Sequence, residues 1–223
     1  MLPVMKRQSQ GFTLTELLVG MAIVSIGLTA SVPNIQRSMK QGEVDRFTQQ
    51  LETGLFSLRA KLGQQKTSCT LTFNTSDLDV FSPPKEIIEI DSNPELLKCC
   101  DSEINGCEYS PEIANTIIKN YNNQAPDAEK LTAQEELKIK RDRTLRLLNQ
   151  EGTTDSKRVE VAVSQGTYEL TPPGTSTMAS DLLLLIRSNN GSEQNLRTRC
   201  LKLSGTGTIF QGTWNNNTSI CEA

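Results

Sequence analysis

The organisation of the chain is decided by the stretch "KRQSQGFTLTELLVGMAIVSIGLTASVPNI" (Lys6–Ile35). From Leu17 to Gln36 the chain carries no charged residue. Phe12–Val32 is 21 residues long, which is about 31 Å as an α-helix and close to the thickness of the hydrocarbon layer of a bilayer. Basic residues before an apolar segment favour a cytoplasmic N-terminus. Lys6 and Arg7 therefore predict that the rest of the chain lies across the membrane.

Glu16 is the feature that a simple anchor does not explain. A carboxylate in a membrane helix costs about 2.5–3.5 kcal/mol on insertion scales. A cleaved secretory signal has the same order of basic and apolar residues, with Thr29 and Ser31 as small residues for cleavage, and an uncleaved signal anchor looks similar. Neither gives Glu16 a role, whereas a buried carboxylate is tolerated in lipid when it is paired with a cation.

The segment "GFTLTELLVGMAIVSIGLTASVPNI" resembles the N-terminus of type IV pilins and type II secretion pseudopilins. The resemblance implies that a prepilin peptidase cuts after Gly11 and methylates the new N-terminus, Phe12. It also implies that Glu16 neutralises the terminal amine of a neighbouring subunit in a filament, because residues four apart share one helical face. The family often has a proline at the position of Pro33. Since proline removes a helical hydrogen bond, we expect a helix break there.

An amphipathic helix is predicted after the apolar segment. Apolar residues recur at intervals of three and four and form one stripe: Val44, Phe47, Leu51, Leu55, Leu58 and Leu62. The stripe lasts less than three heptads, so packing on a head domain is favoured over a coiled-coil seam. Gly63 is the predicted end of this helix.

A β-rich head is predicted beyond the helix, because segments rich in strand-forming residues are separated by Gly, Asn, Pro and Ser. They are Thr67–Phe73, Arg158–Ser164, Thr167–Leu170, Asp181–Ser188, Leu196–Ser204 and Gly207–Gly212. The stretches "LFSLRAKLGQQKTSCTLTF" and "CLKLSGTGTIFQG" resemble the helix-to-strand join and the C-terminal hairpin of the GspH/FimT-like group of minor pilins. The predicted fold class is α+β, with a long N-terminal helix packed on a β-rich, disulfide-bonded head.

The predicted domains follow from these elements. Residues 1–11 are a prepilin leader peptide, 12–35 the hydrophobic transmembrane and assembly helix, and 36–63 its amphipathic half. Residues 64–223 form an extracytoplasmic head with an irregular and helical insertion at about 77–155. The insertion is predicted to contain one helix over Ala128–Leu148, because the segment is rich in helix formers.

Six cysteines and a membrane-targeting start predict disulfides and an oxidising compartment. Cys200 and Cys221 flank the final hairpin and are the favoured pair, as pilins often pin their C-terminal region in this way. The other four are Cys69, Cys99, Cys100 and Cys107. Adjacent cysteines are strained when bonded to each other, so one of Cys99 and Cys100 is expected to reach Cys69 and the other Cys107. The less favoured alternative is that some of them stay reduced. Zinc is disfavoured because the chain has no Cys-x-x-Cys pair and no histidine.

The absence of histidine also removes the usual general base and the Ser-His and Cys-His nucleophile systems. We therefore predict no enzyme activity, no cofactor and no metal.

The segment "KIKRDRTLR" (Lys138–Arg146) contains five bases and one acid. A solvated helix face is favoured for it over contact with DNA or an acidic polysaccharide, because no aromatic platform follows it and the net charge of the chain is -3.

The sequence thus predicts a structural subunit, a minor type IV pilin or pseudopilin. The expected partners are prepilin peptidase, other pilins or pseudopilins, and the bacterial inner membrane, with no nucleic acid. The N-terminus would be cytoplasmic and the head periplasmic before assembly into a surface pilus or a periplasmic pseudopilus. The alternative is a membrane-anchored extracytoplasmic binding protein whose signal anchor is not cleaved.

Overall fold

The computed structural model describes residues 13–65, 67–93, 96–101, 106–109, 111–143, 145–189 and 196–222. The chain divides into two units after Lys40. The helices are α1 (Leu14–Gln65), α2 (Pro84–Ile87), α3 (Pro111–Gln124) and α4 (Ala133–Arg143), with short 3-10 helices at Asp127–Glu129 and Ser156–Arg158. The strands are β1 (Ser68–Thr72), β2 (Leu97–Asp101), β3 (Gly106–Tyr109), β4 (Val159–Val163), β5 (Thr167–Leu170), β6 (Leu182–Ser188), β7 (Arg199–Leu203), β8 (Ile209–Asn215) and β9 (Ile220–Glu222).

Helix α1 is longer and more regular than the sequence predicts. It passes through Pro33, so the expected helix break is wrong. Proline removes only one hydrogen bond, to the carbonyl of Thr29, and the turns on either side keep theirs. The helix also passes Gly63, the predicted stop, and ends at Gln65. Within the described residues, no helix reaches the combination of length and apolar character that a membrane span requires.

The head contains two antiparallel sheets. One has four strands in the order β3-β2-β1-β5, and the other has five in the order β4-β6-β7-β8-β9. Each strand predicted from the sequence coincides with one of these strands to within a few residues. Strands β2, β3 and β9 were not predicted, because they lie in segments without clear alternation of apolar and polar residues.

The apolar stripe of α1 forms the centre of the head. All six of its residues, from Val44 to Leu62, are at most 2 % exposed, and they join residues of both sheets in one core cluster. This confirms that the second half of the helix packs on the head. A smaller cluster on the five-stranded sheet contains Ala162, Leu185 and Cys200, with Trp214 packed against it.

The insertion differs most from the sequence-based expectation. The predicted helix over Ala128–Leu148 is wrong, because α4 covers only Ala133–Arg143. Leu145, Leu147 and Leu148 are buried in a segment without helical structure. Their burial in the core outweighs the helix propensity of the segment. Helix α3 lies before α4 and was not predicted.

Two disulfides are present among the side chains that the structure describes. Cys200 is joined to Cys221, the pair favoured by the sequence. Cys69 is joined to Cys99, which lies opposite it in the register of β1 and β2. The side chains of Cys100 and Cys107 are not among those that the structure describes, so the expected bond to Cys107 stays a prediction. Their backbones lie opposite each other in β2 and β3.

Candidate processing and assembly site

Thr13 and Glu16 cap the start of α1 reciprocally. The backbone N–H of Thr13 donates to Oε2 of Glu16 at 2.9 Å, and its hydroxyl donates to the same oxygen at 2.8 Å. The backbone N–H of Glu16 in turn donates to Oγ1 of Thr13 at 3.3 Å. This is a capping box, in which two otherwise unsatisfied groups at the helix start are paired. The pattern Thr-x-x-Glu is visible in the sequence, but sequence reasoning considered Glu16 only as a charge.

The same arrangement occurs at the start of α4. The backbone N–H of Thr132 donates to Oε2 of Glu135 at 2.9 Å, and the N–H of Glu135 donates to Oγ1 of Thr132 at 3.4 Å. Glu135 is exposed at the start of α4, and its carboxylate and N–H pair only with Thr132 among the hydrogen bonds of the described residues. The hydrogen bonds of Glu16 therefore explain how it caps the start of α1. They do not by themselves indicate that it pairs with the amine of another subunit.

Large apolar side chains on both sides of Glu16 are exposed in the part of α1 whose side chains the structure describes. Large side chains of this segment are about half exposed or more: Leu14, Leu17, Leu18, Val19, Met21, Ile23, Val24, Val32, Ile35 and Met39. Gly20 adds open space to the same surface, since a Cβ there would meet nothing within 4 Å. An exposed apolar surface of this extent marks a site for lipid or for another protein.

Gly11 and Phe12, the predicted processing residues, lie outside the described residues. Residues 6–32 match the family model of the prokaryotic N-terminal methylation motif. The matched segment includes Gly11, Phe12 and Glu16, so the chain carries a type IV pilin-like prepilin signal. No curated protein and no solved structure matched the chain.

The head contains no arrangement that would hold a metal among the residues that the structure describes, since no three Cys, Asp or Glu side chains are grouped suitably.

The basic segment Lys138–Arg146 is divided between two environments. Lys138 and Lys140 are exposed on α4, whereas Arg146 follows the helix and pairs with Asp91 at 2.7 Å and Glu151 at 2.8 Å. The hydrogen bond from Arg146 holds the pKa of Asp91 below its usual value. The segment is therefore not a uniform cationic helix face.

Proposed function

We propose that this chain is a minor type IV pilin or pseudopilin of the GspH/FimT-like group, a structural subunit of a filament. The observation that carries the proposal is the match of residues 6–32 to the N-terminal methylation motif. The long α1 helix supports it, because its second half is built into the core of a disulfide-bonded β-rich head and its first half leaves apolar side chains exposed. The bulky insertion favours a rare subunit over the abundant one.

The proposed sequence of events begins with a precursor anchored in the bacterial inner membrane, with its head in the periplasm. Prepilin peptidase cuts after Gly11 and methylates the amine of Phe12. The cationic amine of one subunit then pairs with Glu16 of another as the apolar helices come together. An isolated charge in lipid is costly and a paired charge is tolerated. The pairing would therefore favour subunits in the filament over free subunits.

The second candidate is an extracytoplasmic binding protein with an uncleaved membrane anchor. The capping box favours it, because Thr13 already satisfies one oxygen of Glu16 without any partner subunit. In that case Glu16 would act as a helix cap only, and the head would carry the function.

Intact mass and N-terminal sequencing of the protein from its native membrane separate the two candidates. A filament subunit should begin at N-methyl-Phe12, and replacing Gly11→Leu should abolish cleavage because the peptidase site accepts a small residue before the cut. Gly20→Leu is the matched control, since Gly20 lies in open space and away from the cut, and it should be processed normally. A wild-type chain that still begins at Met1 would support the uncleaved anchor and contradict the filament subunit.

A further inference from the structure

Two adjoining hollows follow the exposed face of α1 within the head. The first has a volume of about 370 Å³ and is lined by Arg46, Gln49, Gln50 and Thr53 of α1. The second has a volume of about 800 Å³ and is lined by Ser57 and Lys61 of the same helix. These residues recur every three or four positions and so lie on one face. Arg46 and Lys61 are 15 residues apart, which is about 22 Å along the helix.

Asn149 and Gln150 line both hollows and lie where the two adjoin. They are placed there by the buried segment that follows α4, which crosses α1 at Gly54. A Cβ on Gly54 would overlap the carbonyl group of Leu147, so the two backbones are in direct contact. The far wall of the larger hollow is formed by Leu137 and Lys140 of α4. We call the combined feature the α1 groove. It exists because the insertion folds back over the helix.

The described residues that line the α1 groove carry a net positive charge, with one carboxylate, Asp91, against four cations: Arg46, Lys61, Lys140 and Arg146. Lys61 and Lys140 come from α1 and α4 and both are exposed. Neither has an ion-pair partner within the described part of the chain, whereas Arg146 is paired with Asp91 and Glu151, and Arg46 with Asp155. Two ammonium groups from separate elements are therefore free to bind an anionic group in the larger hollow.

We propose that the α1 groove binds an acidic oligosaccharide, with a sugar carboxylate between Lys61 and Lys140. Sugar hydroxyls both donate and accept hydrogen bonds, and the amides of Gln49, Asn149 and Gln150 offer both functions along the groove. Lysine binds carboxylates as a flexible point charge. This site is separate from the processed N-terminus, and the inference does not depend on filament assembly.

Other linear ligands fit the α1 groove less well. Duplex DNA carries one negative charge per about 1.7 Å of helix axis. The two unpaired lysines would leave nearly all of the DNA charge along the groove unneutralised. Single-stranded nucleic acid binds by stacking on aromatic side chains, and none of the described residues that line the hollows is aromatic. A peptide that binds through apolar side chains needs apolar pockets, whereas Leu137 alone is apolar among these lining residues.

The test is calorimetric titration of the full-length chain in detergent micelles with an oligomer of galacturonic acid. Wild type should bind it, and the methyl-esterified oligomer, which has the same hydroxyls and no charge, should bind at least about tenfold more weakly. The double variant Lys61→Ala, Lys140→Ala should lose affinity for the acid form by a similar factor. The pair Asn149→Ala, Gln150→Ala should weaken binding of both forms.

The control is the double variant Lys85→Ala, Lys138→Ala. It removes the same charge from exposed positions on α2 and α4 that do not line the hollows, so its affinity should equal that of wild type. Absence of binding by wild type would overturn the proposal, and so would equal losses in the two lysine variants, which would indicate a net-charge effect. Tighter binding of a single-stranded oligonucleotide than of the acidic oligomer would also overturn it and would assign the groove to nucleic acid.

Discussion

Gly54 of α1 and Leu147 of the insertion are in backbone contact. A Cβ on Gly54 would overlap the carbonyl carbon and oxygen of Leu147, and both Leu147 and its neighbour Leu148 are 1 % exposed. The absence of a side chain at one helical position therefore lets a segment more than 90 residues later in the chain lie directly on the helix and contribute leucines to the core.

We expect Gly54→Ala to destabilise the head by about 1–3 kcal/mol, because the segment around Leu147 must move out of the core to make room. In an exposed helix the same change stabilises by about 0.5–1 kcal/mol, since alanine is the better helix former. Gly63→Ala is the matched control, because Gly63 lies in the same helix with nothing within 4 Å of its added Cβ. Urea unfolding of the full-length chain in micelles measures both. Equal effects of the two substitutions would contradict the contact.

Glu89 and Glu151 hold two loops together by reciprocal hydrogen bonds. Glu151 accepts the N–H groups of Ile90 and Asp91 at 2.9 and 3.0 Å. Glu89 accepts the N–H of Gly152 at 3.1 Å. Each carboxylate thus binds the loop that carries the other. Burial raises the pKa of Glu151, against the opposing effect of these N–H groups.

Glu151→Ala should lower the free energy of unfolding by about 2–4 kcal/mol, because it leaves two N–H groups without their acceptor and removes one of the two ion pairs of the partly buried Arg146. Asp127→Ala removes an exposed ion pair with Lys130 and should change stability by less than about 1 kcal/mol. Thermal and urea unfolding of both variants test this difference. A loss for Glu151→Ala as small as that for Asp127→Ala would mean that water replaces the carboxylate and that the two loops are held by other contacts.

Asp45 of α1 should make the free energy of unfolding of the head vary with pH in the acid range. Burial raises its pKa, but hydrogen bonds from Arg199, at 2.6 Å, and from Gln41 outweigh burial and lower the pKa overall. A carboxylate with a lowered pKa in the folded state adds stability above its unfolded pKa of about 3.9, and this stability is lost as the pH falls through the lower, folded value.

Asp45→Asn should therefore be less stable than wild type at pH 6, and the difference should shrink below about pH 4. Asp79→Asn is the control, because Asp79 is exposed and lies in a loop without an ion pair among the described residues. Urea unfolding at a series of pH values measures the three proteins. A difference between Asp45→Asn and wild type that does not change with pH would exclude ionisation of Asp45 as its source.

The regular spacing of apolar residues and the positions of turn residues predicted the second half of α1 and six of the strands. The stripe from Val44 to Leu62 identified the buried face of α1, and six strand segments were found because they are bounded by turn residues. The methylation motif is also visible in the sequence, because its residues lie in one contiguous segment.

The insertion could not be predicted in this way, because its structure depends on contacts between residues distant in sequence. Helix propensity alone extends α4 to Leu148, whereas the burial of Leu147 and Leu148 and the backbone contact of Leu147 with Gly54 favour a non-helical segment there. The α1 groove was missed for the same reason. Lys61 and Lys140 are 79 residues apart in the sequence, so no local pattern indicates that they line one hollow.

The two roles open to Glu16, helix cap and charge partner, can be separated by a substitution that removes only the charge. Glutamine at the third helical position can still accept the N–H of Thr13, because capping boxes use Glu or Gln. Glu16→Gln therefore keeps the cap, whereas Glu16→Ala removes both the cap and the charge. At the start of α4, Glu135→Gln is the matched control for the cap alone.

If Glu16 pairs with the amine of a neighbouring Phe12, Glu16→Gln should be processed normally but should enter filaments about tenfold less than wild type, because the amine is buried without its partner. Glu16→Ala should show the same loss. Glu135→Gln should assemble as wild type does. Immunoblots of sheared filaments against whole-cell protein measure incorporation, and the mass of the membrane-bound chain measures processing. Normal incorporation of Glu16→Gln together with a loss for Glu16→Ala would assign Glu16 to helix capping, and the charge-pairing mechanism would then be wrong.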